Sequence, residues 1–118
     1  MSSSVFANLG HVLGSRDPSV EQRRVRRDLV DLASHATARG QSQGIRIINI
    51  SALGLMCRNE EPLMTGEHVT VWLPILKDYP AEVRWAEDGR AGMEFLEPIT
   101  PELYDAMLSL IPPRRTAW

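Results

Sequence analysis

A single cysteine, Cys57, stands in the 118 residues. Internal disulfides and cysteine-rich zinc sites are thereby excluded together. No apolar run comes near the roughly 20 residues that a bilayer-crossing helix needs. The opening MSSSVFANLG has neither the basic start nor the apolar stretch of a secretory signal. A cytoplasmic protein without membrane insertion is expected. The phosphate-cradling sequences Gly-x-x-x-x-Gly-Lys and Gly-x-Gly-x-x-Gly are both missing, so ATP and dinucleotide chemistry have no anchor. His11, His35 and His68 are scattered, with no cysteine or carboxylate at ligand spacing, which argues against a metal. Ser51 lacks both a Gly-x-Ser-x-Gly frame and a histidine partner, so it is a poor nucleophile. No residue can be given a catalytic role, and neither an enzyme nor a cofactor is expected.

What is present is the composition of one ordinary globular domain, 43% hydrophobic and 24% charged. A chain of this size builds one core and has little material left for a deep, enclosed site, so function belongs in a surface groove. The net charge of −2 hides an asymmetry: Arg16, Arg23, Arg24, Arg26 and Arg27 all precede residue 30, whereas most carboxylates lie beyond residue 59. A local basic cluster on an acidic chain suits capture of a small anion better than DNA binding, which wants a broad positive face.

Residues 1 to about 20, rich in Ser and Gly and carrying Asp17-Pro18, read as a flexible leader. The stretch after them is ambiguous, because Val25, Leu29, Leu32, Ala33 and Ala36 share a helical face while Val30, Leu32, Ser34 and Ala36 share a strand face. Taken alone, it favours helix. From Gly44 the period becomes two: Ile45 and Ile47 alternate with Arg46 and Ile48, and Val69, Val71 and Leu73 share a face. Ala81, Val83 and Trp85 alternate with Glu82, Arg84 and Ala86, and Met93 and Phe95 flank Glu94. Turn residues at Glu60-Glu61-Pro62 with Thr65-Gly66, at Lys77–Pro80 and at Glu87-Asp88-Gly89 divide these strands, the last as a tight hairpin. Cys57, beside Met56, is read as core, and Trp72 and Trp85 as packing residues in preference to base-stacking ones. Thr100-Pro101-Glu102 then opens a helix bearing Leu103, Met107, Leu110 and Ile111, which Pro112-Pro113 stops. An antiparallel barrel or sandwich with a C-terminal helix follows.

Two clusters carry chemistry. Arg23 and Arg27 share a face on either a helix or a strand, since four residues make about one helical turn or two strand repeats. Guanidinium groups grip phosphate with paired hydrogen bonds and stack on flat rings. The bland reading is a solvated basic face. Farther on, Asn49 and Ser51 point the same way, about 6–7 Å apart on an extended chain, ahead of Gly54, which permits a turn or a close backbone approach. The bland reading there is a strand-ending turn in which Ser51 bonds its own backbone.

In order, Arg-x-x-x-Arg at 23–27 and Asn-x-Ser-x-x-Gly at 49–54 resemble the signature of the PilZ domain family. The stretches Ala81–Trp85 and Gly92–Phe95 look like its closing hairpin. The resemblance implies a bacterial, mainly β, six-stranded antiparallel barrel with a C-terminal α-helix, and cyclic di-guanylate (c-di-GMP) bound on its outside. By analogy Arg23 and Arg27 contact phosphates and stack on guanine, Asn49 and Ser51 read its polar edge, Gly54 shapes the turn, and Arg24 and Arg26 are auxiliaries. It also moves residues from about Leu29 to Arg39 into the first strand, leaving residues 40–44 as the connecting turn. The domain is expected over 21–113, with the barrel at about 28–97, the helix at about 101–111, and a tail at 114–118. Asn49 departs from the family's commoner Asp, replacing a double acceptor by an amide with one acceptor and one donor. A receptor of this kind signals through a separate, unidentified partner protein. The competing expectations are a PilZ-like adaptor working by protein contacts alone and, more remotely, a nucleic-acid-binding helix.

Overall fold

The computed structural model describes residues 26–114, and Arg23 and Arg24 lie outside them. Strand β1, Asp28–Ala38, settles the helix-or-strand ambiguity. It pairs antiparallel with both β2, Gln41–Ile50, and β4, His68–Leu73, and so closes the sheet. As a helix it would leave two strand edges open, an arrangement that closure into a barrel avoids. With β3, Gly54–Asn59, β5, Lys77–Glu87, and β6, Arg90–Phe95, the order around the closed barrel is β1-β2-β3-β6-β5-β4.

Two of the connections are two-residue turns with both φ values positive, at Arg39-Gly40 (53° and 77°) and Asp88-Gly89 (55° and 74°). This is the hairpin geometry that matches strand twist. The expected turn at 40–44 is therefore shorter, because Gln41–Gly44 continue the β2 ladder opposite Ala38–His35. Gln43 there bonds the backbone of Glu61 through both its amide groups. Lys77–Pro80 likewise belong to a strand, paired with Leu73–Thr70. Proline is tolerated where the ladder does not require its missing N–H, and the Pro80 carbonyl still accepts from Leu96 N. The chain reverses instead at Pro74-Ile75-Leu76, where Leu76 N donates to the Pro74 carbonyl across Ile75 at φ 71°.

Inward positions of all six strands, among them Ile47, Ile50, Leu55, Val71, Val83 and Phe95, form one buried cluster. Tyr79 meets Phe95 edge-to-face with ring centroids 5.2 Å apart. Cys57 is fully buried there, and burial pushes its thiol pKa up to about 12. Helix α1, Pro101–Leu108, is capped by Thr100 Oγ1, which accepts from Leu103 N, and seats Tyr104 and Met107 against the core. It ends at Leu108, before the prolines, and Ser109-Leu110 form a turn. Residues 112–114 then return to β1. Asp31 N donates to the Pro112 carbonyl and Arg114 N to the Leu29 carbonyl, covering the part of β1 that β4 leaves unpaired. Among the described residues no helix is long and apolar enough to cross a membrane.

Tyr104 ties the helix to the barrel. Its hydroxyl donates to Asp28 Oδ2 at 2.6 Å and lies 3.1 Å from the Ile50 carbonyl. Burial first, then the Asp28 hydrogen bond and charge, push the Tyr104 pKa upward. A raised folded-state value adds stability that is complete below the ordinary tyrosine value near 10 and is lost as pH rises above it. Tyr104→Phe is expected to cost about 1–3 kcal/mol in urea unfolding at neutral pH. The gap from wild type should narrow above pH about 10, and a gap that is constant or widens there contradicts this account.

Candidate functional site

Two interruptions of the strand alternation shape the outer face. In β2, Ile47 pairs with Cys57 and Asn49 with Met56, leaving Ile48 as an extra residue. Ile47 and Ile50, three apart, both reach the core, so Asn49 between them is turned to the outer side of the barrel, where it is covered to 8% exposure. In β5, Val83 pairs with Met93 and Trp85 with Gly92, leaving Arg84 extra. Val83 and Ala86 both pack inward, and Trp85 comes out at 40% exposure. The simple alternation that grouped Trp85 with Ala81 and Val83 is thus corrected by a bulge, and so is the outward place it gave Ala86.

As a result Asn49, Met56, Gly92 and Trp85 are successive cross-strand partners over β2, β3, β6 and β5. At the usual strand spacing this row spans about 14 Å. Gly92 is the seat of the indole: a Cβ there would come 2.1 Å from Trp85 Nε1. The adjacent row is Gly54, Glu94 and Glu82. A Cβ on Gly54 would lie 2.1 Å from the Met93 carbonyl oxygen, so this glycine is required by close backbone approach. Together these strands form a groove of about 560 Å³, within the usual range for small-molecule sites.

The groove collects three of the expected residues, Arg27, Asn49 and Gly54. Arg27 Nη1 donates to Asn49 Oδ1 at 3.2 Å, joining residues 22 positions apart. Among the described residues its hydrogen-bond partner is this neutral amide, and no ion pair of Arg27 with a described carboxylate is formed. Ser51 does not line the groove. It is buried, its Oγ accepting from Leu53 N at 3.1 Å, while its N–H donates to the Gly54 carbonyl at 2.8 Å. It holds the turn that places Gly54. Arg26 pairs with Asp28 Oδ2 at 3.3 Å and is not part of the lining either. Arg23 and Arg24 lie outside the described residues.

Sequence reading missed three lining residues, Trp85, Arg84 and Glu94. Arg84 lies between two carboxylates, 3.5 Å from Glu82 Oε2 and 3.4 Å from Glu94 Oε1. Burial raises the Glu94 pKa, with Arg84 opposing and Glu82 reinforcing the rise. The signal was the pair Glu82 and Arg84 at alternate positions before Trp85, with Glu94 beside Phe95 on the returning strand. Nothing local marks the bulge that gathers them.

A family model for the PilZ domain matches residues 21–111. The chain belongs to the PilZ domain family. The match spans both arginine positions, the Asn49–Gly54 turn, all six strands and the helix of this PilZ domain. A comparison with curated proteins finds no match.

The two glycines of this PilZ groove make opposite predictions. Gly54→Ala forces a Cβ against main chain and should destabilise by about 1–3 kcal/mol. Gly92→Ala meets the movable indole first, so it should keep the fold while shifting tryptophan emission as Trp85 swings away. Thermal unfolding and intrinsic fluorescence of both variants check this; unchanged emission in Gly92→Ala would contradict the seating of Trp85.

Proposed function

We propose that this PilZ domain is a non-enzymatic receptor for cyclic di-guanylate. The observation that carries the reading is the contact of Arg27 with Asn49, which brings the two separated halves of the family signature to one groove. Arg27, with Arg23 four positions before it in sequence, supplies charge for the phosphates. The Asn49 amide meets the polar edge of guanine, and the exposed face of Trp85 offers a stacking platform. Ser51 acts by building the turn. Arg26, paired with Asp28, is left an indirect role at the start of β1.

Charged hydrogen bonds contribute roughly 1.5–3 kcal/mol each and base–aromatic stacking roughly 1–3 kcal/mol. A few of them reach the roughly −8 kcal/mol of micromolar binding after the cost of ordering. Ligand binding then orders the arginine segment against the groove, where Arg27 already rests, and changes the surface offered to a separate partner protein.

Isothermal titration with cyclic di-guanylate tests the assignment. Arg27→Ala is expected to weaken binding at least about tenfold, and Trp85→Ala about five- to hundredfold. Wild-type protein that takes up no ligand, or affinity unaltered in Arg27→Ala, overturns it.

A further inference from the structure

We infer that Glu94 reads the guanine of the bound nucleotide and sets the preference of this groove for guanine over adenine, supplying the carboxylate that Asn49 is not. This rests on the proposal that the groove takes a cyclic dipurine nucleotide. Its starting point is placement. Glu94 is the in-register partner of Gly54, the last residue of the signature turn, and its half-buried side chain lines the same groove as Arg27, Asn49 and Trp85.

The chemistry of the two candidate readers differs. Guanine presents two neighbouring donors, N1–H and the N2 amino group, beside the acceptors O6 and N7. A carboxylate accepts both donors at once, whereas an amide has a single acceptor oxygen. In this groove that oxygen is already engaged, because Asn49 Oδ1 accepts from Arg27. What Asn49 has left to offer is its amino group, which suits the acceptors of guanine, and one lone pair, which can meet one of guanine's two donors but not both. Glu94 is the one carboxylate among the described lining residues of the groove.

Its surroundings leave that carboxylate short of donors. Glu94 and Glu82 face each other across β5 and β6, and one guanidinium, Arg84, serves both through contacts of 3.4 and 3.5 Å. Arg84 engages Glu94 through Oε1. A ligand edge with two N–H groups would complete the set, while adenine, with a lone pair at N1 and one amino group, would place an acceptor against a charged acceptor. A carboxylate in a groove meant for a phosphodiester repels the phosphates, and base reading gives it a purpose that ion pairing alone does not. Sites that hydrogen-bond a donor discriminate strongly against analogues lacking it, since the buried acceptor is left unpaired.

The test uses two ligands with the same ribose-phosphate ring and different bases, cyclic di-guanylate and cyclic di-adenylate, titrated into wild type, Glu94→Gln and Glu94→Ala. Cyclic di-guanylate binding is expected to weaken at least about tenfold in both variants. Cyclic di-adenylate binding should stay level or tighten, so the preference for guanine falls by the same factor. A ratio unchanged in Glu94→Gln overturns the inference, whether both affinities hold or both drop together as a purely structural ion pair would require. Thermal unfolding of the near-isosteric Gln variant shows whether the barrel is intact. Wild type that fails to bind cyclic di-guanylate removes the proposed ligand and this role with it; wild type that binds while the variants keep its preference removes only the role of Glu94.

Discussion

A strand in a closed barrel alternates between core and solvent, and it can present a core-parity position to the outside only by leaving one residue off the ladder. This barrel does so twice on the strands that floor its groove, at Ile48 and at Arg84. Each extra residue turns a polar or aromatic side chain outward, Asn49 in one case and Trp85 in the other. The two then stand at opposite ends of one cross-strand row. Without the bulge in β2, Asn49 would follow Ile47 into the apolar interior and its amide would be buried without partners. The groove therefore depends on two local irregularities held between well-packed neighbours.

The remaining parts arrange charge around that floor. Arg27 arrives from the chain just before β1 and, among the described residues, rests on a neutral amide and not on a carboxylate. Arg84 is shared between two carboxylates and contributes little net positive charge. One end of the groove is thus cationic and the other slightly anionic, a division that suits a ligand with phosphate at one place and hydrogen-bond donors at another. Behind this, Tyr104 touches Asp28, next to Arg27, and the carbonyl of Ile50, next to Asn49. The helix is in this way bonded to the roots of both halves of the signature.

Much of this was legible residue by residue. The period-two runs in β4 and β6, the Asp88-Gly89 hairpin and the Thr100-Pro101 helix start are short-range features, and each appears where its sequence places it. Arg27, Asn49 and Gly54 were legible as a group only through the spacing of two motifs that resemble a family signature. Ser51, in the same motif, proved to bond within its own turn, as the plainer reading of a serine at a strand end supposes. Trp85 and Ala86 were assigned to the wrong faces, because alternation carries no mark of where it is broken.

By itself the sequence determined the elements whose causes are local: the Asp88-Gly89 turn, the Thr100 cap, and the parity of apolar residues along the strand stretches that no bulge interrupts. It also determined that a cluster of guanidinium groups precedes a polar turn. Only the tertiary structure decided that Asp28–Ala38 is a strand, because its conformation is set by two open edges, β2 and β4, that need a partner between them. It likewise decided which residues share the groove, since bulges answer to the packing of a closed barrel and not to their own sequence. Glu94, Trp85 and Asn49 stand 36 or more positions apart in part, and the ladder that aligns them exists only once the barrel has closed.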